Sequence, residues 1–366
     1  MPSAKTKALL LLHKRMETAK LQAIALLKEL IAIPSFSREE KAKADFLEAY
    51  LTEQNCHVKR VENNLWCIAE SFDTNRPTLL LNSHIDTVKP SESWSVNPFL
   101  AHEKGDKIIG LGSNDAHASV VSLISVFLIL KNRPLPYNLV LALSAEEEVS
   151  GKNGMELLLQ HLPKIDFAIV GEPTRMQAAI AEKGLMVLDC VAHGKSGHAA
   201  RNEGINAITL GMKDIEWFDT YRFEKRHSLL GDVKMSVTQI NAGTQHNVIP
   251  DQCRFVVDIR SNGCYSNKEL FSIIKQHVQA TIEARSFRLN ASDLPTTHAA
   301  YRFLQQQGIE LIASSTLSDL ALMPFPGIKL GVGDSARSHT ADEYIEKNEI
   351  YDAIDLYYKL LCRWQF

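Results

Sequence analysis

Several acidic and histidine residues stand where an extended run of the chain stops. Leu79-Leu80-Leu81-Asn82-Ser83 leads into His84-Ile85-Asp86, and Leu139–Leu143 with Ser144-Ala145 leads into Glu146-Glu147-Glu148. Phe167–Gly171 leads into Glu172, and Gly110–Asn114 leads into Asp115 just before a helical pattern. In an open α/β sheet, groups at the carboxyl ends of strands converge however far apart they lie in sequence. A converging set of His84, Asp86, Asp115, Glu146, Glu147 and Glu172, with the distant His339, would repel itself strongly unless a cation neutralised it. Imidazole with carboxylate and no thiolate suits catalytic zinc, cobalt or manganese better than a closed structural site. In the His-x-Asp segment, Asp86 is placed to accept the second ring N–H of His84 and fix its tautomer. Each piece alone is commonplace, since Glu-Glu-Glu is usually a solvated face. Together, and in this order, they read as a metal centre.

The elements that must position these groups follow from periodicity. Leu21–Ile31 has helical spacing and stops before Pro34, and Ser37 with Glu40 reads as a capping box for a second helix reaching about Gln54. Extended runs at His57–Val61, Leu65–Ala69, Thr78–Asn82, Asn138–Leu143 and Asp166–Val170 alternate with helical segments Ala116–Asn132 and Asn153–His161. That alternation predicts an α/β layer with a largely parallel central sheet. From about Ala178 to Asp293 the pattern changes. Met186–Ala192, Lys234–Asn241 and Cys253–Ser261 alternate as strands with one exposed face, between helical stretches Ile205–Asp219 and Lys268–Ala284. A smaller α+β domain, residues 178–293, is therefore expected inside a catalytic domain built from 1–177 and 294–366. An amphipathic helix, Glu346–Trp364, closes the chain.

Composition narrows the classes further. The 366 residues leave room for a sizeable core, and 45% hydrophobic content with a net charge of −3 is ordinary for a globular protein. No basic patch or charged tail suggests a nucleic-acid partner. The longest apolar stretch, Val120–Leu130, falls short of the ~20 residues of a membrane span. The run Ala8–Leu12, followed by His13-Lys14-Arg15, is too short for the core of a signal peptide. Cys56, Cys67, Cys190, Cys253, Cys264 and Cys362 form no C-x-x-C pair and read as small buried hydrophobes in a reducing cytosol. No G-x-G-x-x-G follows a strand, which removes a dinucleotide-dependent oxidoreductase. The expectation is a cytoplasmic protein acting on a small molecule.

Five ordered segments carry a family resemblance: Ser83–Val88, Gly110–Asp115, Ala145–Glu148, Gly171–Thr174 and Ser338–Tyr344. They resemble the co-catalytic dinuclear zinc hydrolases that include acetylornithine deacetylase, succinyl-diaminopimelate desuccinylase, aminoacylase and glutamate carboxypeptidase, and the resemblance covers nearly the whole chain. It implies a zinc-exopeptidase-like catalytic domain with an inserted lid and dimerisation domain. It also implies two divalent metal ions bridged by Asp115, with His84 and Glu172 completing one site and Glu147 and His339 the other, and with Glu146 as general base. Gly194–Ala200 resembles the loop whose histidine, here His198, polarises the scissile carbonyl from the partner subunit of a homodimer. Asn247 and Arg260 match positions that hold the substrate carboxylate, for which a planar guanidinium is a natural reader.

One segment departs from the family pattern. Relatives usually carry a Met-Lys-Gly-Gly type sequence after the bridging aspartate, whereas this chain has Ala116-His117-Ala118-Ser119. His117 is expected to face solvent from the first helical turn, and the departure bears on substrate class more than on catalysis. The reaction implied by the resemblance is hydrolysis of an N-acyl amino acid, first N-acetyl- or N-succinyl-ornithine in arginine biosynthesis. N-acetylcitrulline, succinyl-diaminopimelate and dipeptides are the alternatives. A silent metal- or peptide-binding relative is the rival from another class, and an intact Glu146 argues against it.

Overall fold

Ala, Leu, Lys and Glu, all strong helix formers, dominate the start of the chain, and the helix there is longer than apolar spacing alone predicts. It runs Ala4–Ala32 (α1) rather than from Leu21, and Leu10 and Leu11 within it are exposed. The structure, a computed structural model, describes residues 4–201 and 203–366. After α1 come α2 (Lys41–Glu53), β1 (Val58–Val61), β2 (Asn64–Ile68), β3 (Thr78–His84), β4 (His102–Lys104) and β5 (Lys107–Ile109). Then follow α3 (His117–Leu130), β6 (Asn138–Ser144), α4 (Met155–Leu158), β7 (Phe167–Val170) and β8 (Ala178–Glu182). The middle of the chain holds β9 (Met186–His193), β10 (Gly197–His198), α5 (Ala207–Thr220), β11 (Lys234–Ala242) and β12 (Val248–Ile249). It continues with β13 (Gln252–Arg260), α6 (Asn267–His277), β14 (Thr281–Ala284) and β15 (Ser292–Asp293). The last part is α7 (Ala299–Gln306), β16 (Leu311–Ser314), β17 (Gly327–Lys329), β18 (Tyr344–Glu346) and α8 (Lys347–Leu361).

The chain divides into two units. One comprises the residues up to Ile180 with Leu294–Ile312 and Ser318–Phe366, and the other comprises Ala181–Asp293 with Ala313–Leu317. The short piece 313–317, read from the sequence as part of the catalytic domain, groups with the second unit.

In the first unit the sheet order is β1-β2-β6-β3-β7-β17-β8. Only the centre, β6-β3-β7-β17, is parallel, and the flanks are antiparallel, so the sheet is mixed rather than largely parallel. The β1–β2 pair shows why: Val61 and Asn64 pair across a two-residue turn at Glu62-Asn63, and a connection that short can join only antiparallel strands. Every residue of β3 and β6 is buried, as expected for strands covered on both faces. One face packs on α1, α3 and α8 through residues such as Leu27, Leu30, Leu123, Phe127, Ile354 and Tyr357. The other packs Leu80, Val140 and Ala168 against Met155, Leu158 and Leu320.

The capping box expected at Ser37 and Glu40 does not form. Helix α2 starts at Lys41 without a side-chain cap. Ser37 Oγ instead donates to Asp86 Oδ2 (2.7 Å), while Glu40 accepts from the Arg38 and Glu146 amides (2.6 and 3.1 Å). Residues that looked like a helix start brace the loops of the candidate site. Among the described residues, no helix is long and apolar enough to cross a membrane.

In the second unit a four-stranded antiparallel sheet, β11-β13-β9-β14, carries strict in–out alternation along β9 and β13. Its inner face packs Leu188, Phe255 and Val257 on Phe218 of α5 and on Leu270 and Ile274 of α6. The stretch Lys268–Ala284, expected as one helix, is α6 followed by β14, with Val278 already extended. All six cysteines are free thiols. Cys67, Cys190 and Cys253 are buried as expected, whereas Cys56 and Cys264 are half-buried and Cys362 is exposed.

Candidate metal centre

The strand ends deliver their polar residues to one place. His84 ends β3, Asp115 precedes α3, Glu172 lies just beyond β7, and the Glu146–Glu148 run follows β6. His84 Nε2 lies 3.3 Å from Asp115 Oδ1 and 3.7 Å from Glu172 Oε1. His339 Nε2 lies 3.7 Å from Asp115 Oδ2 and 2.9 Å from Glu148 Oε2. Asp115 thus stands between the two histidines, one oxygen toward each. Potential ligand atoms of His84, Asp115 and Glu148 lie within 4.8 Å of one another, and so do those of His84, Glu147 and Glu172.

The three consecutive glutamates are shifted by one residue from the expected roles. Glu148, not Glu147, faces His339. Glu147 joins His84 and Glu172, and Glu146 turns away from the cluster. The reason is local. The Ala145 amide donates to Asn64 Oδ1 (2.9 Å), and Glu146 adopts a left-handed φ of 54°, a costly conformation for a non-glycine residue. Its carboxylate then accepts from the Asn153 side chain (3.0 Å) and closes its own loop. A short turn at Glu147–Val149 sends the next two side chains into the site.

The electrostatics fit a missing positive charge. Burial pushes Glu147 well above the usual carboxylate range, with the Glu172 charge adding to it. Burial likewise pushes Glu172 up to about 8, offset in part by His84. Burial opposes charge on His84, yet its hydrogen bonds to Asp115 and Asp86 hold its pKa well above that of free imidazole. The hydrogen bond to Glu148 raises His339 to about 9. Glu172 Oε1 is buried with no hydrogen-bond partner, a costly state for a carboxylate oxygen. A hard or borderline cation in each half would neutralise the carboxylates and use that orphaned oxygen, so the donor set fits divalent metal.

Supporting groups hold this arrangement. His84 Nδ1 lies 3.0 Å from the backbone oxygen of Asp86, nearer than the 3.5 Å to its carboxylate, so the tautomer is set mainly by main chain and not by the expected side chain. The Asp86 carboxylate instead accepts the Glu147 and Glu148 amides (both 3.1 Å) and so orients the turn that carries them. Glu343, almost fully buried, accepts the amides of Gly112, Asn114 and Asp115 at 3.0, 2.8 and 2.7 Å, a cradle around the loop that presents Asp115. Glu343 lies in the Ser338–Tyr344 segment, and local spacing carries no signal of this role. Asp319, buried and bonded to Ser144 Oγ (2.5 Å), is a further carboxylate that the sequence did not single out.

His117 does not face solvent. It is fully buried, its Nε2 2.8 Å from Nζ of the equally buried Lys43 of α2 and 3.3 Å from the Ile85 carbonyl. The ring sits so close under the loop that a Cβ on Gly112 (φ +75°) would lie 2.5 Å from it. Burial first, then the facing Lys43, pushes the His117 pKa well below that of free imidazole.

The remaining expected residues lie in the second unit. His198 of β10 pairs with Val248 of β12, and the Ala199 amide donates to the Asn247 carbonyl (2.9 Å), so His198 and Asn247 share one small ribbon. The Ala200 amide donates to His198 Nδ1 (3.1 Å), which leaves the proton on the exposed Nε2. Arg260 ends β13 and grips Asp258 through Nε and Nη2 (2.8 and 3.1 Å), leaving Nη1 outside that pair.

Comparison with known proteins agrees with this geometry. The chain is 26% identical over 353 residues to acetylornithine deacetylase of Buchnera aphidicola from Schizaphis graminum, covering 88% of this chain and 93% of that one. It is 27% identical over 284 residues to succinyl-diaminopimelate desuccinylase of Wolinella succinogenes, covering 71% and 74%. Its fold matches a dinuclear metal-binding peptidase of the M20 family from Bacillus subtilis with a TM-score of 0.72 at 16% identity, over 95% of this chain and 98% of that one. The sequence profile of peptidase family M20/M25/M40 matches residues 80–363, which span every residue of the cluster, and the chain belongs to that family of hydrolases.

Proposed function

We propose that the chain is a two-metal amidohydrolase that releases a free amino acid from an N-acyl amino acid, with N-acetyl- or N-succinyl-ornithine the first substrates to test. The observation that carries the reading is Asp115 standing between His84 and His339, with Glu147 beside His84 and Glu172. The names of the two relatives support acyl-amino-acid substrates. His84, Asp115 and Glu172 would hold one cation, and Asp115, Glu148 and His339 the other.

Bound there, two divalent cations would lower the pKa of water toward neutrality and polarise the scissile carbonyl. Glu147 takes the proton from the attacking water and returns it to the departing amine nitrogen. Asp86 keeps Glu147 and Glu148 in place through their amides. Arg260 offers a guanidinium N–H to the substrate α-carboxylate. The test is a panel of N-acyl amino acids incubated with zinc- or cobalt-loaded protein, with released amine as readout; no turnover on any member would discard the reading. Arg260→Ala should raise KM for substrates with a free α-carboxylate and change it little for their amides, since a charge-assisted contact is lost. Equal effects on both would reduce Arg260 to a partner of Asp258.

The proposed enzyme works as a homodimer in which each subunit lends His198 to its neighbour's site. The exposed proton on His198 Nε2 supports this, as does β11, a nine-residue edge strand with most of its side chains exposed, Ile240 among them. In a two-fold dimer such exchange is reciprocal. Glu147→Ala and His198→Ala should each be nearly inactive, yet co-refolded they should recover roughly a quarter of wild-type activity under random pairing. Hybrid dimers verified by mass but without rescue would end the shared-site proposal.

A further inference from the structure

Two thiols outside the candidate site meet at a corner of the first unit. Helix α2 ends at Glu53, Asn55 takes a left-handed φ of 56°, and the Cys56 amide then donates to the Leu51 carbonyl (3.0 Å). Cys67 lies in β2 directly opposite Val58, and Cys56, two residues before Val58, falls on the same side of the ladder. The two thiols interact across that ladder. Cys67 is buried in the main core, whereas Cys56 remains half-exposed. Lys131, at the end of α3, puts its ammonium 2.6 Å from the Asn55 carbonyl, beside the pair. Gln54 and Lys131 also line a surface cavity of about 280 Å³ with Tyr50, so the turn borders an open recess.

We propose that Cys56 and Cys67 form an oxidisable dithiol, a modification site that a peroxide or a small disulfide converts to an intrachain Cys56–Cys67 disulfide. Position assigns the parts: the reachable Cys56 attacks the oxidant, and the buried Cys67 resolves the product. With hydrogen peroxide, the Cys56 thiolate attacks one oxygen, the O–O bond breaks, and the released hydroxide leaves as water after taking a proton. The Cys67 sulfur then attacks the sulfenic sulfur and displaces its hydroxyl, which leaves as a second water. Both thiols lose a hydrogen, and the peroxide is reduced. The interaction with the Cys67 thiol, with Lys131 adding its charge against partial burial, holds the Cys56 thiol below the usual thiol range. Such electropositive, partly exposed surroundings distinguish a reactive thiol from an inert buried one. Cys67 shares β2 with Asn64, which holds the Ala145 amide and the Asn153 carbonyl (2.9 and 2.6 Å).

The experiment treats reduced, metal-loaded protein with equimolar hydrogen peroxide or glutathione disulfide, then alkylates it and maps tryptic peptides by mass. Lys59 and Arg60 lie between the two cysteines, so trypsin separates them unless they are cross-linked. The expected product is a peptide pair joined through Cys56 and Cys67, two hydrogens lighter, reversed by dithiothreitol, and formed before the exposed Cys362 reacts. Cys67→Ser should stop at an adduct on Cys56, a dimedone-trappable sulfenic acid or a mixed disulfide, while Cys56→Ser should leave Cys67 unmodified. Circular dichroism checks that both variants fold. Oxidation of Cys362 with both thiols still alkylatable would overturn the proposal, and so would a Cys56 adduct in the wild type without the cross-link.

Discussion

Glu147→Gln is expected to lower turnover by a factor on the order of 10²–10⁴ while both metal ions stay bound, because it deletes proton transfer and no ligand. Its neighbours should behave differently. Glu148→Gln removes the carboxylate 2.9 Å from His339 and should cost one ion, seen as a drop toward one metal per chain by elemental analysis. Glu146→Gln should keep both ions and most of the turnover. Its carboxylate holds Asn153 rather than the site, so the loss should appear in thermal stability. The three variants together decide the register. If Glu146→Gln proved inactive with metals intact while Glu147→Gln shed an ion, the roles would move back by one residue.

Removing metal should abolish activity, and zinc or cobalt should restore it. The pH dependence of the metal-free protein carries a further signature. Glu172 rises from 4.5 to about 8 on folding and His339 from 6.5 to about 9, so between those values the folded chain binds more protons than the unfolded one. Stability contributed by these protonated groups is complete below the unfolded values and is lost as pH climbs through the folded ones. The Tm of chelated protein should therefore fall from about pH 5 to pH 8, and added metal should raise it most at the upper end, releasing protons as it binds. A chelated protein equally stable across that range, or fully active, would contradict a cation-centred site.

The convergence at the strand ends was legible because it depends on few things. Long buried runs such as Leu79–Ser83 can only be central strands, and central strands of an α/β sheet point their carboxyl ends at one crevice. His84 and Glu172 needed no finer knowledge, whereas Asp115 and His339 directly follow no strand of the central sheet, and their roles rested on the family resemblance. The glutamate run needed more. Which of three identical neighbours enters the site depends on a left-handed residue and on amides captured by Asn64 and Asp86, from segments some sixty to eighty residues away. Local spacing contains no trace of that. The same limit hid the true tasks of Ser37 and Glu40, whose side chains suit a helix cap locally but are drawn off by Asp86 and the Glu146 amide. His117 was misjudged for a related reason: a polar residue in a first turn is usually wet, and only the arrival of Lys43 from another helix makes its burial tolerable.

The Glu343 cradle has a consequence for biosynthesis. The loop that presents Asp115 is held by a residue more than two hundred positions later, and His339 also comes from that late segment. A chain still emerging from the ribosome could pair β3 with β6 and β7 yet would carry a loop with three unclaimed amides and lack His339. Long-range closure of this kind comes late in folding. Metal capture should thus belong to the finished chain, and a nascent chain arrested before Glu343 would hold its carboxylates together without the scaffold that makes them a binding site.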